Sequence, residues 1–248
     1  MKNLVNRFLR FFLGYEIIKA HRFAHDASYS PVEKEIYTLC KSRTMTNPNS
    51  ISNLISATDY LTKAKIEGAY VECGVWRGGS SMAFCLATLR NDLDRREVFL
   101  YDTFEGYLGT SKEDFQIQDK KTPSELYRKD KNYLCYAGLE DVKFGIDSTG
   151  YPNELLHYVI GDVQKTIPKT LPKSIALLRL DTDYFESTMH ELTYLYPLLS
   201  PGGVVIIDDY DHWNGSRQAC DSYFHKLEEN ILLIRMESGR MFIKKGLE

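Results

Sequence analysis

The sequence lacks several features that would place it in familiar classes of protein. Its five cysteines are odd in number, widely spaced and without a Cys-x-x-Cys pair, which argues against a disulfide framework and against a zinc site. No apolar run approaches the roughly 20 residues that a transmembrane helix needs. The formal net charge of −3 offers no basic stripe for nucleic acid. We therefore expect a cytoplasmic protein with no transmembrane segment and no nucleic-acid partner.

Two signatures of common enzyme chemistry are missing as well. The glycines after the first predicted strand, Gly74, Gly78 and Gly79, depart from Gly-x-Gly-x-x-Gly, which disfavours a nicotinamide oxidoreductase. No serine or cysteine stands with a matched base for nucleophilic catalysis. The 248 residues are 43% hydrophobic and 26% charged, which is enough for the core of one α/β domain.

The most informative stretch, residues 175–211, contains two short apolar runs that each end in carboxylates. Such runs are typical of buried parallel strands at their C-terminal ends. A helical pattern from Glu186 to Leu199 separates the runs, and Pro201-Gly202-Gly203 is expected to stop that helix. A right-handed crossover then brings four acids to one edge of the sheet. These acids are Asp181, Asp183, Asp208 and Asp209.

Four neighbouring carboxylates repel one another unless a cation lies between them, and oxygen ligands suit magnesium. A divalent cation site is therefore the first hypothesis. In the alternative interpretation, Asp183 caps the following helix, while Asp208 and Asp209 open a solvated loop.

The remaining elements complete the expected fold. The last two apolar runs are joined only by Glu237-Ser238-Gly239, which is too short for a helix, so the last strand must run antiparallel. We expect an α/β fold with a doubly wound, seven-stranded, mostly parallel sheet and an antiparallel last strand. The other predicted strands are Ala69–Val75, Val98–Asp102, Leu156–Asp162, Ile231–Arg235 and Arg240–Lys244. The other predicted helices are Pro31–Lys41 with Ser30 as cap, Ser50–Ala64, Met82–Arg90, Asn132–Gly145 and Ser216–Glu229.

Two further segments and one histidine lie outside this pattern. The pattern of apolar and basic side chains in residues 1–20 predicts a basic amphipathic helix. This helix is expected to pack on the domain or on a second subunit, with contact to a membrane surface as the alternative. Residues 108–131 are charged and weakly periodic, as in a mobile surface segment or lid, and nothing there indicates chemistry. His212 is interpreted as a solvated loop residue, with substrate contact as the alternative.

The turn after the first strand is the candidate cofactor site. Glycines there let a ligand approach the backbone, and the next helix offers N–H groups to an anion. Glu72, inside the strand, should accept hydrogen bonds from turn amides or from a cationic ligand group, unless it is partly exposed. Asp102 ends the second strand, where nucleoside-binding folds hold ribose hydroxyls. Asp162 ends the third strand, where it has either a functional role at the site or the role of capping the following helix.

Several motifs together resemble the macrocin O-methyltransferase family, whose members methylate sugar hydroxyls in macrolide and aminocoumarin antibiotic pathways. The resemblance covers residues from about 35 to about 225. The motifs are Thr44-Met45-Thr46, Val71-Glu72-Cys73-Gly74-Val75-Trp76-Arg77-Gly78-Gly79-Ser80, Asp102-Thr103-Phe104-Glu105-Gly106, Arg179-Leu180-Asp181-Thr182-Asp183, and Ser200-Pro201-Gly202-Gly203 with Asp208-Asp209-Tyr210.

The resemblance implies the class I S-adenosylmethionine (SAM) methyltransferase fold. It also implies magnesium-dependent transfer of a methyl group from SAM to a hydroxyl of a sugar or similar vicinal diol, on a glycan or secondary metabolite. Asp183 would be the general base, and Asp181, Asp208 and Asp209 would bind magnesium. The cofactor-binding residues would be Met45, Thr46, Glu72, Gly74, Ser80, Asp102, Thr103 and Asp162.

The chain is expected to form a single methyltransferase domain with an N-terminal appendage. Residues 1–65 would form a helical appendage with a cofactor-covering loop, and residues 66–248 the methyltransferase domain. The N-terminal helix and residues 108–150 depart from the better-known members, and these parts are expected to select the acceptor, so its identity stays open. A homo-oligomer is expected. The rival functions are a metal-dependent hydrolase that uses the same aspartates on water, and a non-catalytic nucleotide-binding protein of the same fold.

Overall fold

The computed structural model describes residues 27–90, 95–106, 111–127, 135–228 and 230–246. The helix predicted for residues 1–20 lies outside these ranges. In the described part, a seven-stranded sheet has the order β3-β2-β1-β4-β5-β7-β6. Strands β1 to β5 are parallel, and β7 pairs antiparallel with both β5 and β6, which confirms the predicted fold class. The strands are β1 (Ala69–Cys73), β2 (Val98–Asp102), β3 (Leu156–Ile160), β4 (Ile175–Leu180), β5 (Leu199–Ile207), β6 (Ile234–Arg235) and β7 (Arg240–Ile243).

The helices largely follow the predicted starts. Ser30 caps α1 through a capping box with Glu33, as its Ser-Pro-x-Glu sequence predicts. Asn47 caps α2 through its side chain, which accepts the N–H of Ser50, so the helix begins at Pro48, two residues before the predicted start. The helices are α1 (Pro31–Cys40), α2 (Pro48–Lys63), α3 (Gly79–Arg90), α4 (Pro123–Tyr127), α5 (Leu139–Asp147), α6 (Val163–Thr166), α7 (Phe185–Leu195) and α8 (Asn214–Lys226).

The predicted role of Pro201-Gly202-Gly203 as a helix stop is wrong. Helix α7 already ends at Leu195, and a 3-10 turn that contains Pro197 follows it. Proline has no N–H to continue the helical ladder, so the break comes earlier. The three residues lie instead at the start of β5, where Gly202 donates to the carbonyl of Lys244 at 2.9 Å.

Two other boundaries also differ from their predictions. Helix α5 begins at Leu139, and the described residues before it, 135–138, are not helical. Strand β6 contains only Ile234 and Arg235 of the five residues predicted.

Each face of the sheet buries its own apolar cluster, because side chains alternate along a strand. In β1, Tyr70 packs with residues of α1, α2, α3 and α5, whereas Val71 packs with residues of α6, α7 and α8. Ile36 and Leu54 are buried in the first cluster, so α1 and α2 share the core of the sheet. The division of the chain at residue 66 stays a prediction.

Strand order reverses between β1 and β4, and parallel α/β sheets bind ligands in the crevice at such a point. Within the described ranges, no helix is both long enough and apolar enough to cross a membrane.

Candidate functional site

A cavity of about 950 Å³ lies at the C-terminal ends of β1, β2, β4 and β5. The structure brings together at its wall all twelve residues predicted for the site, although their contacts differ in kind. They are Met45, Thr46, Glu72, Gly74, Ser80, Asp102, Thr103, Asp162, Asp181, Asp183, Asp208 and Asp209.

Gly74 lets β1 and β4 approach closely at the switch point. Its φ is +84°, and a Cβ there would overlap the carbonyl oxygen of Asp181. The N–H of Asp181 donates to the carbonyl of Cys73 at 2.8 Å, which ties the two strand ends together. Only glycine satisfies both the positive φ and the close approach.

Asp102 holds the turn that follows Gly74. Its carboxylate accepts the N–H groups of Val75 at 2.7 Å, Trp76 at 3.0 Å and Phe104 at 2.8 Å. The hydroxyl of Thr103 donates to the carbonyl of Gly106 at 2.8 Å. The contacts of Asp102 are therefore with the backbone, and its ribose-binding role stays a prediction.

The loop of residues 43–47 covers the first turn of α3. The N–H of Gly79 donates to the carbonyl of Arg43 at 2.9 Å. The hydroxyl of Ser80 lies 3.4 Å from that of Thr44 and 3.3 Å from that of Thr46. Met45 is 69% exposed, so it borders the cavity rather than closing it.

Glu72 is buried, so the alternative of a partly exposed acid is wrong, and its partners differ from those predicted. One oxygen accepts the hydroxyl of Ser81, and the other accepts Nη1 of Arg179 at 2.7 Å. Burial raises the pKa of Glu72, and the charge of Arg179 opposes that rise. The cation beside Glu72 is thus a residue of the chain itself.

Arg179 is a functional candidate that our sequence analysis missed. It is 2% exposed, and Glu72 and Arg179 face each other in the register of β1 and β4. Two opposite charges inside two apolar strands were the available signal. A buried charge needs a partner, so a charged residue inside each of two apolar strands indicates a possible pair, although only the register of the strands shows that the two residues face each other.

Asp181, Asp208 and Asp209 form the acid cluster expected at the ends of β4 and β5. One oxygen of each lies within 4.8 Å of the others. Arg179 contacts Asp181 at 2.5 Å and Asp208 at 3.0 Å, although the second pair lacks hydrogen-bond alignment. Burial and neighbouring carboxylates raise the pKa of both Asp181 and Asp209 well above the usual range.

Asp183 stands at the same wall in an unusual backbone conformation. Its φ is +70°, in the left-handed region where non-glycine residues cost about 1–3 kcal/mol and which concentrates at functional sites. Burial, together with the charges of Asp181 and Asp208, raises the pKa of Asp183 to about 7. The alternative in which Asp183 caps α7 is wrong, because Tyr184 occupies the cap position and the N–H of Phe185 donates to Asp114.

Asp114 is a second residue that the sequence analysis missed. It is buried in the segment predicted as a surface lid, and it accepts the N–H of Phe185 at 2.8 Å and that of Ser111 at 2.6 Å. The same segment reaches the loop after Asp209, where Ile117 donates to the carbonyl of His212 at 2.9 Å. No sequence signal separates this buried acid from its charged neighbours.

His212 and Asp162 both line the cavity. The Nε2 atom of His212 lies 3.0 Å from Nε2 of Gln116. Asp162 accepts the N–H of Gln164 at 3.0 Å and caps α6. Capping is therefore present at Asp162, and a ligand contact at either residue stays a prediction.

Comparison with known proteins gives consistent results. The family model "Macrocin-O-methyltransferase (TylF)" matches residues 19–243. The chain is 34% identical over 170 residues to the 8-demethyl-8-(2,3-dimethoxy-alpha-L-rhamnosyl)-tetracenomycin-C 4'-O-methyltransferase of Streptomyces olivaceus, a match that covers 68% of this chain and 63% of the relative. It is 30% identical over 201 residues to the demethyldecarbamoylnovobiocin O-methyltransferase of Streptomyces niveus, with 81% and 75% covered.

The solved structure of the O-methyltransferase NovP has a TM-score of 0.72 and 27% identity, and the match covers 82% of this chain and 83% of that one. The fold that the resemblance implied, that of the class I methyltransferases, is thereby confirmed. Since the family model matches most of its length, the chain belongs to the macrocin-O-methyltransferase family.

Proposed function

We propose that this protein is a SAM-dependent O-methyltransferase that uses a divalent cation and acts on a hydroxyl of a sugar or similar vicinal diol. The observation that carries the proposal is one cavity whose wall contains both the glycine turn after β1 and the acid cluster of β4 and β5. The acceptor class draws on the Streptomyces olivaceus relative, whose name places its acceptor on a rhamnosyl group. All five cysteines are free, which supports a cytoplasmic location.

The cofactor half of the cavity suits the amino-acid end of SAM. The first turn of α3 borders the cavity through Gly79 and Ser80, and a helix N-terminus attracts a carboxylate. Glu72 and Thr46 lie on the same wall and offer oxygen atoms. Because Asp102 holds the turn through backbone N–H groups, the shape of this half is set before a ligand binds.

The other half suits a divalent cation such as magnesium. Asp208 Oδ1 and Asp209 Oδ2 are buried and, within the described residues, accept no hydrogen bond. Carboxylate oxygens at close range are hard ligands of the kind that magnesium prefers. Asp181, Asp208 and Asp209 would hold the ion, since one oxygen of each already lies within 4.8 Å of the others.

Asp183 provides the proton acceptor for the reaction. When bound, the cation supplies positive charge that lowers the pKa of an acceptor hydroxyl. Asp183 lines the same cavity as the three acids that would hold the cation, so its carboxylate is placed to act as the general base. The Asp183 carboxylate would take the proton of the acceptor hydroxyl, whose oxygen gains the methyl group as the methyl–sulfur bond of SAM breaks and S-adenosylhomocysteine is released.

Ligand binding and methyl transfer test the proposal together. Because a ligand of the native state raises apparent stability, S-adenosylhomocysteine (SAH) should raise the Tm and NAD should leave it unchanged. Radiolabelled SAM, with sugars and catechols as acceptors, should then give labelled product only when Mg2+ is present. No response to SAH would contradict the cofactor assignment, and turnover that survives removal of Mg2+ would contradict the cation assignment.

A further inference from the structure

Arg179 contacts residues from both halves of the cavity through a single guanidinium group. Its Nη1 lies 2.7 Å from Glu72 and 2.5 Å from Asp181. Its Nη2 lies 3.1 Å from the hydroxyl of Thr46 and 3.0 Å from Asp208. Each nitrogen therefore serves one residue of the cofactor half and one of the cation half.

The guanidinium lies behind the wall rather than in it. Glu72, Thr46, Asp181 and Asp208 all line the cavity, whereas the side chain of Arg179 is almost fully buried and does not. Arg179 therefore acts on a ligand only through these four neighbours. Among the proposed cation ligands, Arg179 donates a charge-assisted hydrogen bond to Asp181 Oδ2 and forms an ion pair with Asp208 Oδ1.

We propose that Arg179 is a positioning residue that couples the cofactor half of the cavity to its cation half. The inference rests on the proposed function, because it needs SAM and a divalent cation as the ligands. The planar guanidinium group holds Glu72 and Thr46 of the cofactor half together with Asp181 and Asp208 of the cation half. A ligand that moves the residues of one half therefore changes the contacts that Arg179 makes with the residues of the other half. Binding of the two ligands is then linked, and linkage is reciprocal.

The substitution Arg179→Lys separates the role of the planar guanidinium group, with its two terminal nitrogens, from the role of the positive charge. An ammonium keeps the positive charge but is a single point on a flexible stem, so it cannot reach all four partners at once. If only the charge matters, Arg179→Lys should bind both ligands like the wild type. If the planar guanidinium group matters, the same variant loses affinity for both SAH and Mn2+.

The experiment measures SAH affinity by calorimetry and Mn2+ affinity by electron paramagnetic resonance, each without the other ligand. We expect Arg179→Lys to weaken both affinities at least tenfold. Glu72→Gln should weaken chiefly SAH binding, and Asp209→Asn chiefly Mn2+ binding, because Asp209 does not contact Arg179. Arg240→Lys is the matched control, since Arg240 pairs with Asp211 and neither residue lines the cavity, and both of its affinities should stay within threefold.

A measurement on the wild type keeps the inference testable if Arg179→Lys fails to fold. Saturating Mn2+ should change SAH affinity at least threefold, and SAH should change Mn2+ affinity by the same factor. The absence of this linkage overturns the inference, as does a folded Arg179→Lys that binds either ligand within threefold of the wild type. Failure of the wild type to bind SAH or Mn2+ at all refutes the proposed function instead, and the inference falls with it.

Discussion

The two halves of the cavity both present acids from the ends of buried strands, yet their charges are balanced differently. In the cofactor half, Glu72 has Ser81 and Arg179, and Asp102 has three backbone N–H donors. In the cation half, burial and the charges of Asp181 and Asp208 raise the pKa of Asp183, and one oxygen of Asp209 has no hydrogen-bond partner among the described residues. The acids of the cofactor half are thus balanced by donors of the chain itself, whereas in the described part of the chain Arg179 alone offsets the facing carboxylates of the cation half, which leaves negative charge that an external cation would balance.

Loss of the Asp183 carboxylate should have the largest effect. Asp183→Asn removes the proton acceptor, and general bases contribute about 10²- to 10⁴-fold, so we expect kcat to fall roughly 1,000-fold. SAH affinity should stay within threefold, because the change lies in the other half. Initial rates with labelled SAM and calorimetry measure the two quantities, and turnover within tenfold of the wild type would remove Asp183 from the mechanism.

Asp209→Asn tests whether the cation half is truly short of positive charge. We expect Mn2+ affinity to fall about 100-fold, because residues that only orient metal ligands already contribute about 10- to 100-fold and Asp209 would be a ligand itself. Without a cation, the same variant should unfold at a higher temperature, because it removes a carboxylate that neighbouring Asp183 and Asp208 repel. If Asp209→Asn instead has a lower Tm than the wild type in metal-free buffer, the negative charge of Asp209 is already balanced within the protein.

Asp102→Ala should act in the opposite direction. It leaves the N–H groups of Val75, Trp76 and Phe104 without their acceptor, so the free energy of unfolding should fall by about 2 kcal/mol. Denaturant unfolding measures this loss. Asp102→Asn is the control and should lose less stability, because its amide oxygen can still accept the two N–H groups that share Oδ2, although its amide nitrogen cannot accept the third. An Asp102→Ala variant as stable as the wild type would contradict the contrast with Asp209.

Glu191 is a third kind of acid, buried in α7 with one described donor, the hydroxyl of Thr182 at 2.8 Å. Burial raises its pKa to about 8, from 4.5. The unfolded chain therefore loses this proton first, and stability falls as pH rises between these two values. Relative to Glu191→Gln, the wild type should lose about 1.4 kcal/mol between pH 6 and pH 7. If the free energy of unfolding changes by the same amount between pH 6 and pH 7 in the wild type and in Glu191→Gln, the raised pKa of Glu191 is contradicted.

Asp114 should have a smaller effect on catalysis. Asp114→Ala frees the N–H of Phe185 and loosens the turn that holds Asp183, so kcat should fall roughly three- to tenfold, about 1 kcal/mol, the size of one hydrogen bond. Hydrogen exchange at Phe185 should accelerate. Gly215→Ala should reproduce both effects, because a Cβ there would overlap the Asp114 carboxylate, whereas Asp114→Asn should retain protection. If hydrogen exchange at Phe185 is unchanged in both Asp114→Ala and Gly215→Ala, the hydrogen bond from Phe185 to Asp114 is contradicted.

Much of the site followed from rules that need no coordinates. Apolar runs that end in Asp181 and Asp208 predict parallel strands, and a right-handed crossover places their ends together. Register could not be read in the same way. The partners of Glu72 and the burial of Asp114 depend on packing between segments far apart in the chain, and residues 111–127 show no periodicity that predicts which side chain turns inward.

By itself, the sequence determined the sheet, the convergence of four acids at its edge and the glycine turn opposite them, because periodicity and chain connectivity are local properties. The tertiary structure alone decided which acids have partners. Arg179 neutralises Glu72 and contacts Asp181 and Asp208, while Asp183 and Asp209 remain against each other. The physical reason is that charge compensation depends on distances of a few ångströms across strands, which only the packed chain sets.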